Sequence, residues 1–243
     1  MDFFRDCIFL LSRMKYHLSI PFLLLLASCR YGNDPQIKPA VQKTVPPATS
    51  RLNYDSCKKQ VLLTKEKMRS RWHQMSKTEK KQVVIPLIAE TIIPNWIGTK
   101  WDFNGVSEEP QKGTIACGYF VTTVLRDAGF QIARSKLAQC ASEQMIRSLV
   151  QPENIQRFSN ISIENFISAI SPNEIDIYLV GLDNHTGFIY NDGKDIYFIH
   201  STYVGTRNVQ KELAVRSSVL KQSRYRVLAS LGDDGSILNS WIH

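Results

Sequence analysis

Three side chains have the types and the placement for acyl-transfer chemistry: Cys117, His185 and His200. Cys117 lies in GTIACGYFVTTVL, where a turn-rich loop meets the start of a helix. The orphan N–H groups and dipole of a helix N-terminus lower a thiol's pKa. The same N–H groups can hold the oxyanion of a tetrahedral intermediate. Most free cysteines are merely small buried hydrophobes; here Gly118 argues against packing alone, because it keeps the helix start open. The two histidines bracket a hairpin signal, Asp192-Gly193 between apolar runs, which suits a two-residue type I′ loop. With those two residues as the loop, Asn191 faces Lys194, Tyr190 faces Asp195, and His185 falls directly opposite His200. Opposed side chains share a face, with Cβ atoms roughly 4.5–5.5 Å apart. Ile189, Ile196 and Phe198 share that face, so the pair should sit at the edge of an apolar surface. A lone histidine is usually a satisfied core or surface residue. A pair has a catalytic reading, in which one imidazole is the base and the other fixes its tautomer. Cys140 also falls on a helical stretch, but internally, so it and Cys57 read as structural.

These groups need a scaffold, and its elements are legible in the periodicity. Residues 54 to 92 look helical, with Val61, Leu62, Lys65, Met68, Trp72 and Met75 as a stripe. A second helix is expected from Thr78 to Thr91, ending before Pro94. The run NWIGTKWDFNGVSEEPQKGT is a loop. From Cys117, the residues Phe120, Val121, Val124, Leu125 and Ala128 make an apolar helix face, and Gly129 is placed to end it. Further helices are expected over Ser135–Leu149 and Ile163–Ile170. The C-terminal third then changes period: IDIYLVGL, HTGFIYN, DIYFIHS and SRYRVLASL are β-rich runs between turns. Three or four antiparallel strands after a helical half define an α+β domain.

The chain has 243 residues, 43% hydrophobic and 21% charged, which suits one domain plus appendages. That is long enough to bury a core without metals or disulfides. The net charge of +8 comes without a basic run or nucleic-acid motif, so it reads as a solvated surface and no nucleic-acid partner is expected. Residues 17–28, HLSIPFLLLLAS, are too short to span a bilayer and have the length of a signal-peptide core. They end Leu26-Ala27-Ser28-Cys29, which resembles the lipobox of bacterial lipoproteins, so residues 1–28 are expected to be a signal peptide and Cys29 to carry the lipid. Met14-Lys15 would give a compact positive start, which makes residues 1–13 a candidate upstream-start artefact. Residues 29–50, with four prolines, read as a lipid anchor and a disordered tether, and residues 51–243 as the domain. Arg30, where an inner-membrane retention signal would place Asp, favours the outer membrane. Of the five cysteines, Cys7 falls in the discarded segment. Either Cys57 pairs with Cys140 or all three domain cysteines are thiols. No CxxC spacing exists, so no zinc site is expected.

The order of these groups resembles the NlpC family of bacterial cell-wall cysteine peptidases, which have a minimal papain-like fold. The resemblance covers about residues 85 to 230. It runs through Trp101, Asn104-Gly105, Cys117 at a helix start, His185 on a strand and His200 on the next. IGTKWDFNG resembles the family's approach to the site, Arg134 an arginine that follows the nucleophile helix, and HTGFIYNDGKDIYFIHS its histidine hairpin. The resemblance implies Cys117 as nucleophile, His185 as base, His200 as the orienting residue, and Trp101 and Gly118 as substrate contacts. It implies hydrolysis of an amide bond in peptidoglycan or another peptide by a monomer, with no cofactor or metal. The family usually has Asp before and Ser after the nucleophile, where this chain has Ala116 and Gly118. It also has a site tyrosine where this chain has Trp101. These departures put recognition of the standard stem peptide in doubt. A transglutaminase-like acyltransferase, or a catalytically idle binding module, would use the same core.

Overall fold

The computed structural model describes residues 53–170 and 174–243. The expected signal peptide, the lipidation residue Cys29 and the whole of the tether lie outside them. No helix among the described residues is long and apolar enough to cross a membrane.

The fold is α+β, as the sequence predicts. Helices α1 (Tyr54–Arg69), α2 (Lys77–Pro86), α3 (Ile93–Trp96), α4 (Cys117–Asp127), α5 (Arg134–Ala138) and α6 (Ser142–Arg147) come first. Strand β1 (Ile155–Ser159) and α7 (Ile163–Ser168) lead to β2 (Asp176–Leu182), β3 (Thr186–Asn191), β4 (Ile196–Ser201) and β5 (Val209–Leu213). The chain finishes with α8 (Ser218–Gln222), β6 (Tyr225–Ser230) and α9 (Gly235–Ser240). The strands form one antiparallel sheet in the order β1-β6-β2-β3-β4-β5. Alternation sends Ile177, Leu179, Phe188 and Ile199 into the core shared with α1 and α4. It sends Val180, Ile189, Phe198 and Leu228 into a second cluster with Phe166 of α7 and Leu220 of α8.

Helix α4 ends as its sequence predicts. Gly129 takes φ 101°. Its N–H bonds to Arg126 and that of Phe130 to Leu125, the paired bonds of a Schellman cap.

Several boundaries differ from expectation. The second helical run starts at the Ser76–Glu79 capping box and does not stop before Pro94. Pro86 lacks an N–H, so the helix widens into a π-turn over Leu87–Ile92 and continues to Trp96, with Pro94 in the first turn of α3. Of the expected stripe, Val61, Lys65 and Met68 on α1 and Trp72 in the short turn after it are buried, but Leu62 is 65% exposed. Lys65 is tolerated inside because its ammonium donates to the carbonyls of Gly129 and His243, 2.8 Å to each. The stretch expected as one helix over Ser135–Leu149 breaks into α5 and α6 around Gln139–Ala141. The sheet has six strands rather than three or four, because β1 and the polar edge strand β5 also pair.

The β3–β4 register is also two residues away from expectation. Asn191 faces Ile196, not Lys194. The Asp192 carboxylate accepts from the N–H groups of Lys194 and Asp195, which makes Asp192 the first residue of the turn rather than a central one. Gly193, with φ 88°, then takes the first central position. Since strand side chains alternate with a period of two, this slip leaves every residue on its predicted face.

Candidate active site

Cys117 is the first residue of α4. Its N-cap, Ala116, has no side chain to satisfy the free N–H groups of the first turn. The loop before it is tied down. Ile115 donates to the Lys100 carbonyl at 2.9 Å and Ala116 to that of Gly105 at 2.8 Å. The Ser201 hydroxyl donates to the Ile115 carbonyl at 2.7 Å, linking the approach to Cys117 with the residue after His200. Arg134 locks the other side. Its guanidinium donates to Thr123 Oγ1 at 2.7 Å and to the carbonyls of Val106 and Ser107 at 2.9 and 2.8 Å, pinning the loop to α4.

Gly118 has a reason the sequence did not disclose. A Cβ there would lie 2.3 Å from the Ala138 carbonyl oxygen. The start of α4 packs on the backbone of α5, so no side chain fits without displacing that helix. Gly118 lines the cleft at Cys117 through its backbone.

The two histidines meet, by a different route from the one expected. Continuing the observed ladder one step puts Gly187 opposite His200. His185 stands two residues further back, a diagonal neighbour. Gly187 leaves open the space through which the rings meet; a Cβ there would lie 2.9 Å from His200 Cβ and 2.7 Å from Phe198. Nε2 of His185 lies 2.8 Å from Nδ1 of His200. The His200 ring stacks on Phe198, with centroids 3.9 Å apart.

Beyond His200 the chain of contacts continues. Its Nε2 lies 3.2 Å from Glu212 Oε1, on β5. A carboxylate can only accept, so Nε2 of His200 carries the proton and its Nδ1 offers a lone pair. Nε2–H of His185 donates to that lone pair. Nδ1 of His185 is thereby left unprotonated, a base with no hydrogen-bond partner although it is buried. An unpaired buried polar atom costs about 1–3 kcal/mol, and among the described residues Trp72 Nε1 is left in the same way. The Gln210 amide nitrogen stands 3.2 Å from the same His200 nitrogen; both are donors when Nε2 carries the proton, so this contact is not a hydrogen bond in that tautomer.

Burial sets the protonation states. It drives the His185 pKa down to about 3, helped by the neighbouring His200. It lowers that of His200 too, against the opposing pull of Glu212. Burial pushes the Glu212 carboxyl up, but its contacts with His200 and Ser217 outweigh this and hold it below the usual range, ionised at neutral pH. The Cys117 thiol departs from expectation. The N–H groups of Thr186, Gly118 and Cys117 itself do pull its pKa down, but burial wins and the net shift is upward. The resting pair is therefore a neutral thiol and a neutral imidazole.

Cys117 and His185 line one open cleft of about 710 Å³. Trp101 is on its wall, as expected, with the Arg207 guanidinium 4.8 Å from its ring centroid. Tyr203, which sequence reasoning passed over, stands between Trp101 and His185, at 6.1 and 5.4 Å between centroids. Glu212 was also missed; its only sequence signal is the alternation of VQKEL, which becomes informative once that segment is known to pair with β4. Cys57 and Cys140 form no disulfide, so the three domain cysteines are all thiols. Cys57 is buried, whereas Cys140 borders a smaller compartment that Cys117 also lines. Among the described residues, no group of three or more His, Cys, Asp or Glu side chains could hold a metal ion.

No protein-family model, no curated protein and no solved structure matches this chain.

Proposed function

We propose that this protein is a cysteine hydrolase of papain-like design that cleaves an amide bond in a cell-envelope peptide, anchored by a lipid on Cys29. The observation that carries this reading is the lone pair on Nδ1 of His185, buried and unpartnered in the cleft that holds the Cys117 thiol. Nδ1 and the thiol are not hydrogen-bonded to each other in the free protein. Catalytic contacts commonly tighten only when substrate fills the site.

In this reading Cys117 Sγ attacks the amide carbonyl as its proton passes to Nδ1 of His185. The new imidazolium is held through Nε2–H by His200, and through His200 by the charge of Glu212. The free N–H groups at the start of α4 receive the oxyanion. The tetrahedral adduct collapses as the C–N bond breaks, and Nδ1–H protonates the departing amine. Water then attacks the thioester, losing a proton to Nδ1, and the C–S bond breaks with return of that proton to sulfur. A standing thiolate is unnecessary, because the base acts during attack.

Peptidoglycan stem peptides and ordinary polypeptides are the two candidate sources of the bond. Incubating the purified protein with each, followed by mass spectrometry, tests the reading. Cleavage that disappears in Cys117→Ala supports it. Amine incorporation without hydrolysis would indicate an acyltransferase instead, and no cleavage of either source would contradict the proposal.

A further inference from the structure

Resting on that reading, we infer that the substrate places a bulky, uncharged aromatic or branched aliphatic side chain in the cleft beside Cys117, and that substrates carrying carboxylates next to the scissile bond are rejected. The cleft wall contains no Asp, Glu, Lys or Arg. Four of its residues, Trp101, Phe103, Tyr119 and Tyr203, are aromatic. Two large apolar side chains stand at this wall still in water: Phe103 is 81% exposed and Val106 51%. Apolar surface left open around a concave site marks a place for an apolar ligand. Arg134 is engaged with the loop carbonyls and Thr123, whereas Arg207 lies over the ring of Trp101 behind the wall.

The compartment on the other side of Cys117 points the same way. Its charged residues are Glu143 and Asp183. Glu143 is held by Arg157 and Tyr225, at 2.9 and 2.8 Å, and Asp183 accepts from the Arg224 N–H at 2.8 Å. Neither compartment has a Lys or Arg in its lining, and one presents negative charge. A carboxylate-bearing segment, such as a murein stem peptide, would find neutral amide and hydroxyl donors there but no lining cation to pair with. Because the cleft is open and walled by rings, it suits a planar or branched side chain rather than a long alkyl chain, which calls for an enclosed tunnel.

The test uses the full-length protein and internally quenched alanine-rich peptides, each with one Phe, Leu, Glu or Lys scanned across both sides of the central bond. A murein stem tetrapeptide and an N-octanoyl amide are run alongside. Phe or Leu at one position should raise kcat/KM about ten- to a hundred-fold over Ala, the range expected for burying such a side chain. Glu should lower it at every position, and Trp101→Ala should shrink the Phe-to-Ala ratio. p-Nitrophenyl acetate, too small to use the cleft, reports on the chemistry alone. If Cys117 is acetylated but the panel is flat, or favours Glu or the stem peptide, the inference is overturned and the hydrolase reading stands. If the octanoyl amide exceeds every peptide ten-fold, the occupant is a lipid chain and the inference is overturned as stated. If Cys117 is not acetylated, the hydrolase reading fails and the inference fails with it.

Discussion

His185 Nε2 lies 2.8 Å from His200 Nδ1, although the two residues are not cross-strand partners. The contact is diagonal, and the residue that faces His200 is a glycine. The side-chain-free position lets a histidine outside the strand reach one within it. Glu212 at 3.2 Å then fixes which nitrogens carry protons.

In the proposed mechanism that dependence makes Glu212 and His200 positioning residues with a spectroscopic signature. Glu212→Leu should lower kcat more than it changes KM. It should also change the nitrogen chemical shifts of both histidines, as the tautomers lose their preference. Glu212→Gln, which can still accept from Nε2–H, should fall between Leu and the wild type. His200→Gln should likewise retain more activity than His200→Ala. Unchanged histidine shifts in Glu212→Leu would show that the carboxylate does not set the tautomers.

The neutral imidazoles also make stability depend on pH. The folded pKa of His185 is lowered to about 3 from an ordinary 6.5, so between those values the unfolded chain binds the extra proton. Stability then rises with pH across that window, is fully present above about 6.5, and is lost as pH falls. At pH 4.5 the loss from His185 is on the order of 3 kcal/mol. Urea unfolding of wild type and His185→Gln at pH 4.5 and pH 7 checks this. The variant should gain on the wild type at the lower pH; a constant difference would mean that His185 is not buried in its neutral form.

How much of this was legible in the sequence depends on whether the signal was local. The start of α4 at Cys117 and its end at Gly129 follow from loop composition, apolar spacing and one glycine, and all three are local. The face shared by His185 and His200 was readable because alternation survives a two-residue slip. The partner of each was not, because Asp192 can serve either as a central turn residue or as the one that closes the turn with its side chain. Glu212 was out of reach. Its strand, VQKEL, looks polar because an edge strand is half-solvated, and its contact with His200 exists only through β4–β5 register. The expectation of an acidic thiol failed for a different reason: the helix N-terminus acts as argued, but burial of Cys117 outweighs it.

The proposal of a lipid anchor rests on Leu26-Ala27-Ser28-Cys29. Cys29→Ser should leave an unprocessed precursor that takes up no labelled palmitate in a bacterial host. Normal palmitate labelling of the variant would rule out Cys29 as the anchor.

The central claim is that Cys117 attacks while Nδ1 of His185 takes its proton. The most direct measurement is the acylation rate of the protein by p-nitrophenyl acetate, followed by nitrophenolate release, with the acetylated residue located by mass spectrometry. The account predicts acetylation at Cys117 in the wild type, and a His185→Ala variant slower by about 10²–10⁴-fold, the usual cost of losing a positioned general base. Acetylation of Cys140 in preference to Cys117, or an undiminished rate in His185→Ala, would contradict it.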